Sequence, residues 1–259
     1  MRISTWNVNS IRTREDRVLL WLEENQPDVL CMQETKVLDE DFPREGFERL
    51  GYDLLLYGQR TYNGVAIASR LPIEDVELGL PLEGDDEARG IAATIGGLRV
   101  VDLYVPNGRQ VGTDKFDYKL RWLDSLARWL AERCSPREPL AVLGDFNIAP
   151  DDRDVHDPAQ WAGRVMCSDE ERGRLEVLLG WGLFDALREV NHESGIFTWW
   201  DYRAGAFRFN RGLRIDLALV TEPLRGRIES VTTNRDDRKV RQGVEKPSDH
   251  IPVTLQLRD

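Results

Sequence analysis

The sequence predicts an α/β protein in which two β-sheets pack face to face and helices cover the outside. Three observations carry this. About ten short apolar runs rich in Val, Ile and Leu recur along the whole chain, each of strand length. Helical patterns fall among them early, in the middle and late. Finally, that many strands exceed what one doubly wound sheet commonly holds, whereas two packed sheets use them all.

The strand-like runs are 3–8, 29–32, 53–57, 65–68, 91–95, 98–105, 140–143, 215–220, 228–232 and 251–257. Several are apolar throughout, as strands buried on both faces are. The first helical pattern opens at Thr13, where Asp16 three residues on suggests a capping box, and carries Val18, Leu19, Trp21 and Leu22. It stops before Pro27. A second, from Asp114 to about Arg133, places Phe116, Leu120, Leu123, Ala127 and Leu130 at helical spacing, with Trp122 and Trp129 beside the stripe as core residues. A third starts at Ser168 with Glu171 completing a capping box, carries Leu175, Leu178 and Leu179, and ends near Gly182.

The 259 residues allow one large domain or two small ones. No repeat, low-complexity stretch or long linker divides them, so one domain over 1–259 is expected. A chain of this size buries roughly three quarters of its unfolded surface and needs no staple to fold. Hydrophobic residues at 41% and charged residues at 31% exclude global disorder. No apolar run reaches the ~18 residues of a membrane helix, and the strand pattern at Arg2–Trp6 leaves no room for a signal peptide. Cys31, Cys134 and Cys167 are odd in number and form neither a disulfide framework nor a zinc spacing. A cytoplasmic location and a monomer are expected.

The net charge of −11 and pI near 4.9 argue against a passive nucleic-acid coat, which should be basic. The charge is uneven, however. From Ile196 to Asp259 there are 12 Lys/Arg against 9 Asp/Glu, so the other 195 residues carry 23 against 37. A polyanion should therefore meet the C-terminal quarter.

Polar groups stand at the ends of apolar runs: Asn7, Glu34, Asp145 with Asn147, Asp216, and Asp249 with His250. An acid inside an apolar strand is costly unless it is paired or metal-bound. Singly, each has an ordinary alternative: Asp216 satisfied by backbone N–H groups or Arg214, Glu34 a solvated strand end, Asp145–Asn147 a turn, His250 a partly buried core residue. Jointly, four carboxylates and a histidine could gather only around a counter-charge, since like charges about 4 Å apart repel by ~4 kcal/mol at an effective dielectric of 20; a hard cation or a captured proton would relieve this. Carboxylate and amide oxygens without thiolate select Mg²⁺, Mn²⁺ or Ca²⁺ over zinc.

Six segments in order resemble the successive motifs of the exonuclease III family of apurinic/apyrimidinic endonucleases, within the endonuclease/exonuclease/phosphatase superfamily. They are Trp6-Asn7-Val8-Asn9-Ser10, Gln33-Glu34-Thr35-Lys36, Tyr104-Val105-Pro106-Asn107-Gly108, Gly144-Asp145-Phe146-Asn147-Ile148, Leu213-Arg214-Ile215-Asp216 and Lys246-Pro247-Ser248-Asp249-His250-Ile251-Pro252-Val253. The resemblance implies a four-layer α/β sandwich, two packed mixed sheets flanked by helices. It implies a Mg²⁺-dependent nuclease, with Mn²⁺ as a substitute, that cuts 5′ to abasic sites and also trims 3′ ends. The partner is then duplex DNA with abasic sites or blocked 3′ ends, and no membrane. A phosphoesterase of the same fold acting on a non-DNA ester, and a non-catalytic DNA binder, are the competing readings.

The resemblance also implies roles. Glu34 is the main metal ligand, with Asn7 and Asp249 near the ion and Asp145 and Asn147 beside it. Asp145 positions or deprotonates the attacking water, Asn147 orients water and phosphate, and Tyr104 hydrogen-bonds a phosphate oxygen. His250 contacts the scissile phosphate, with Asp216 fixing its ring. Trp199, Trp200 and Leu213 help line a pocket for an extruded abasic sugar, and Asn107 and Arg211 lie on the substrate side. Arg109, Lys115, Tyr118 and Lys119 match a region near the site in relatives. Arg208 and Arg214 fall in the same basic stretch as Arg211. Segments 151–158 and 235–241 read as solvated turns.

Overall fold

A computed structural model describes residues 1–80, 85–244 and 246–258. Along the chain the strands are β1 (Arg2–Asn7), β2 (Val29–Gln33), β3 (Asp53–Tyr57), β4 (Val65–Ser69), β5 (Ile73–Leu78), β6 (Gly90–Ile95), β7 (Leu98–Tyr104), β8 (Leu140–Asp145), β9 (Leu183–Asp185), β10 (Asp216–Thr221), β11 (Ile228–Thr233) and β12 (Val253–Leu257). The helices are α1 (Ile11–Asn25), α2 (Arg44–Arg49), α3 (Asp114–Arg133), α4 (Pro158–Trp161), α5 (Asp169–Gly182), α6 (Ala186–Val190) and α7 (Glu222–Arg225). Two six-stranded sheets result, ordered β11-β12-β1-β2-β4-β3 and β5-β6-β7-β8-β10-β9. Among the described residues no helix is long and apolar enough to cross a membrane.

Each sheet is antiparallel except for one parallel pair, β1 with β2 and β7 with β8. Ile3, Val29, Cys31, Val65 and Ile67 of the first sheet meet Ile91, Ala93, Val100, Ala141 and Leu143 of the second in a fully buried interior. The alternate side chains face outward but are covered as well. Trp6, Leu30 and Met32 lie under Val18, Trp21 and Leu22 of α1, and Val101, Leu103, Val142 and Leu217 lie under Trp122, Leu126 and Leu130 of α3 and Leu175 and Leu178 of α5. This is why β2 and β8 are apolar at both parities: each strand is buried on two faces. The four layers are helix, sheet, sheet, helix, as the sequence predicts.

The elements depart from expectation mostly at edges. Strands β5 and β9 are not legible: β9 has only three residues, and β5, at an edge, carries Glu74, Asp75 and Glu77 on exposed or half-exposed positions, which blunts the edge. Helix α1 begins at Ile11, two residues before Thr13, and neither a Thr13 nor a Ser10 side chain caps it; their hydroxyls bond each other at 3.0 Å. The Ser168 capping box on α5 is present in full. The last strand begins at Val253, just past Pro252, which has no N–H for a ladder.

Two segments read as solvated turns are instead tied down. Asp154 is fully buried, bonded by Arg214 Nε at 2.6 Å and by Arg188. Asp237 and Arg238 are also buried, and Asp237 O accepts from Arg17. Sequence alone shows charge density but not the opposite charge that distant strands supply.

Gly144 lies in the middle of the second sheet, one residue before Asp145, at φ 146°; a Cβ there would sit 1.9 Å from the Leu103 carbonyl oxygen. Gly144→Ala is expected to destabilise the protein by about 3 kcal/mol in urea unfolding, whereas Gly226→Ala, where a Cβ meets nothing within 4 Å, should stay near neutral.

Candidate active site

The parallel pairs decide where the polar strand ends go. Because β1 and β2 run together, Asn7 pairs in register with Gln33, and Glu34 follows at once. Because β7 and β8 run together, Tyr104 pairs with Asp145. Antiparallel β10 then places its first residue, Asp216, opposite Asp145. On the other side β12 runs antiparallel to β1 with Val253 opposite Thr5, so the preceding Asp249 and His250 arrive at the same rim. One oxygen each from Glu34 and Asp145 and one ring nitrogen of His250 lie within 4.8 Å of one another.

The contacts are dense. Asn7 Nδ2 donates to Glu34 Oε1 at 2.8 Å and to Asp145 Oδ2 at 2.9 Å, so one amide bridges the two sheets. Its Oδ1 accepts from the Asn9 backbone N–H. The His250 ring bonds Asp216 through Nδ1 at 2.9 Å and presents Nε2 to Asp145 Oδ2 at 3.8 Å. Asn147 donates its backbone N–H to Asp145 Oδ1, donates its side-chain NH₂ to Val105 O, and accepts from Asn107 Nδ2 at 2.9 Å. The Tyr104 hydroxyl bonds Glu34. Asp249 accepts from Asn9 Nδ2 at 2.8 Å and from Trp199 Nε1 at 3.0 Å.

The electrostatics follow from packing so many acids together. Burial opposes charge on His250, but Asp216 and Asp145 outweigh it and push the imidazole up to about 10, so the ring is cationic at neutral pH. Burial raises Asp145 well above the carboxylate range; His250 pulls it back down and Asp216 adds to the rise. Burial, with Glu34 and Asp145 nearby, also pushes Tyr104 up, so it stays a hydrogen-bond donor. Asp249 is held low despite its burial, with His250, Asn9 and Trp199 favouring the charged form.

The clustered carboxylate oxygens of Glu34 and Asp145, with no thiolate among them, fit a hard divalent cation, while the cationic His250 ring and the Asn7 NH₂ stand beside that position as hydrogen-bond donors. The structure itself shows that the place attracts positive charge. Lys36 Nζ lies 2.6 Å from Glu34 Oε2 and 2.6 Å from Asn9 Oδ1.

A second ring of residues holds these groups still. Thr198 Oγ1 accepts the backbone N–H groups of Ile215 and Asp216, both at 3.1 Å. Ser248 Oγ donates to Asn7 O and accepts from His250 N–H. Fully buried Lys119 donates to the Asn147 and Asn107 carbonyls and to fully buried Glu171. The Arg89 guanidinium carbon sits 4.9 Å from the Tyr104 ring centroid. Sequence reasoning assigns none of them this positioning role. Glu171 is marked only as the end of a capping box, Lys119 only as part of a region near the site, and Ser248 only as a member of the last motif; Thr198 and Arg89 are ordinary residue types whose partners lie elsewhere along the chain.

The expected substrate-side residues divide. Asn107 joins the network through Asn147. Trp199 lies at the rim, bridged in β-fashion to Leu213 and to His250. Trp200 and Leu213 are covered, at 1% and 0% exposure, so they underlie the rim rather than line an open pocket. Arg211 is exposed. Arg214 turns inward to Asp154 and Asp185 and faces no solvent. Tyr118 donates to Asp85 at 2.6 Å.

If Asp216 is what keeps the imidazole charged, Asp216→Asn should lower the His250 pKa by about one to three pH units. Titration of the His250 ring proton by NMR checks this; an unchanged midpoint would assign the charge to Asp145 instead.

Known proteins share this architecture over the whole chain. Exodeoxyribonuclease III of Haemophilus influenzae is 33% identical over 271 residues, covering 100% of both chains. The structure of a 3′ phosphatase, NExo, from Neisseria bound to product DNA hairpin superposes with a TM-score of 0.95 at 40% identity, covering 100% of both chains. An AP endonuclease from Archaeoglobus fulgidus gives a TM-score of 0.95, also at 40% identity and 100% coverage of both chains. The family model described as Endonuclease/Exonuclease/phosphatase family matches residues 4–250. With acids, imidazole and amides from both sheets converging on one rim, this chain belongs to the endonuclease/exonuclease/phosphatase family.

Proposed function

We propose that this chain is a DNA repair nuclease that hydrolyses the phosphodiester 5′ to abasic sites in duplex DNA and also processes 3′ ends, as a 3′–5′ exonuclease and 3′-phosphodiesterase. The observation that carries this reading is the meeting of Glu34, Asp145 and the His250–Asp216 pair in one site, on a chain whose full-length relatives are an exodeoxyribonuclease, a 3′ phosphatase and an AP endonuclease.

Glu34 is the main metal ligand, with Asp249, Asp145, Asn7 and Asn147 around the same position; Mg²⁺ is the proposed ion and Mn²⁺ its substitute. When bound, the ion neutralises charge on the phosphate and on the leaving 3′-oxygen. Asp145, raised by burial, is suited to position the attacking water and take its proton. His250 has the opposite role, because a cationic imidazole cannot act as base but can hold charge against a phosphoryl oxygen. Asp216 fixes the ring through Nδ1. Tyr104 hydrogen-bonds a phosphate oxygen, Asn147 orients the water and the phosphate, and Trp199, Trp200, Leu213, Asn107 and Arg211 form or support the DNA side. We place the enzyme in the cytoplasm as a monomer. Its cysteines are free thiols, the state that a reducing compartment maintains.

A duplex oligonucleotide with one tetrahydrofuran abasic analogue tests the reading. Incision with Mg²⁺ that stops on adding EDTA is expected; no incision, or incision indifferent to EDTA, would remove it. Release of phosphate from small esters with DNA left intact would point to a phosphoesterase of another substrate class. Asp145→Asn and His250→Asn should each lower kcat by about 100-fold or more with a circular-dichroism melt like that of the wild type.

A further inference from the structure

The chain between Trp199 and Leu213 leaves the site and returns to it. The two residues bond each other twice, Trp199 N–H to Leu213 O and Leu213 N–H to Trp199 O, both at 3.0 Å. Trp199 is also the residue that bonds Asp249. The neck of loop 200–212 is therefore part of the candidate active site.

The base of the loop is firm. Trp200 is buried, bonds Asn210 Oδ1 through Nε1 at 3.2 Å, and packs edge-on to Phe207 with ring centroids 5.4 Å apart. Beyond it, Phe209 is 59% exposed, a large ring left in water. The ring lies against Gly205, at φ +63°, where a Cβ would come within 3.2 Å of it. The guanidinium carbons of Arg208 and Arg211 sit 5.6 and 5.1 Å from the ring centroid.

The charge is as specific as the ring. From Tyr202 to Arg214 the chain has four arginines and no acid, in a protein of net charge −11. Arg203 pairs with Asp201 and Arg214 is buried against Asp154 and Asp185. Arg208 and Arg211 have no carboxylate partner among the described residues and are exposed.

We propose that Phe209 is a stacking residue of the DNA interface, placed against a base or a vacated base position beside the lesion, with Arg208 and Arg211 holding neighbouring phosphates. This rests on the nuclease reading and adds to it how the duplex is gripped. Phe209, with the less exposed Tyr202 of the same loop, is too little apolar area for a protein or membrane interface. It is sufficient for a nucleobase, which has a face to stack on and a phosphate on either side. An abasic site suits it further, because the stack there already lacks a base.

The test measures binding of the full chain to the tetrahydrofuran duplex in EDTA, and incision in Mg²⁺. Phe209→Ala should weaken binding and raise KM by about tenfold. It should leave the slope of log Kd against log salt unchanged, because no phosphate contact is lost. Phe209→Trp should restore binding to within about twofold, and Phe209→Leu should not. Arg208→Ala with Arg211→Ala should lower the salt slope by about one for each arginine removed. Val177→Ala, at a residue 58% exposed on α5, serves as the control that changes neither. Wild-type binding by Phe209→Ala, or rescue by Leu equal to that by Trp, overturns the stacking role while a wild type that cuts leaves the nuclease reading standing. A wild type that neither binds nor cuts overturns both.

Discussion

Gathering four carboxylates at one rim is the constraint around which this molecule is arranged. Glu34, Asp145, Asp216 and Asp249 repel one another, by an amount on the order of several kcal/mol per close pair, and three of them are largely withdrawn from water. Each acid is met by a specific partner. Asp216 has the His250 ring, Asp249 has Asn9 and Trp199, Glu34 has Lys36 and Tyr104, and the Asn7 amide spans Glu34 and Asp145. The partners come from both sheets, so the rim also holds the sandwich together at that end. Removing one partner leaves a buried charge exposed to its neighbours, which costs more than the contact itself contributes.

The sandwich supplies what this arrangement needs, which is rigidity. Four of the groups sit at the ends of central strands whose side chains are packed on two faces, and the two parallel pairs bring their carboxyl ends to the same side. The loops that complete the site are fixed in turn by buried polar residues. Lys119 and Glu171 secure the backbone at Asn107 and Asn147. The Asp154–Arg214–Asp185 cluster secures the strand leading into Asp216. Buried ion pairs are weak contributors to stability in general; Lys119 bonds main-chain carbonyls next to the site, so positioning accounts better for its pair than stability does.

A division of labour between Asp145 and His250 follows from the same crowding. Two carboxylates beside one imidazole raise its proton affinity, while low dielectric raises that of Asp145. One group is thereby kept positive and the other becomes a better proton acceptor. Two environments a few ångströms apart thus give ordinary side chains opposite protonation preferences.

Local rules determined much of this by themselves. Apolar runs at both parities mark β2, β4, β8 and β10 as doubly covered strands, the Ser168 and Glu171 pair marks the start of α5, and the acids at strand ends mark the rim, because solvation penalties and capping act over a few residues. Ordered motifs added which ends belong together. What only the tertiary structure decided is pairing at long range. That Asn7 offers its NH₂ rather than its oxygen to Glu34 and Asp145, that Arg214 faces Asp154 and not DNA, that Trp200 and Leu213 lie beneath the rim, and that Lys119 is buried all depend on partners distant along the chain, 27 residues away for Asn7 and Glu34 and 60 for Arg214 and Asp154. A sequence shows which groups must find a partner; which one each finds depends on sheet register and on where the strand ends meet.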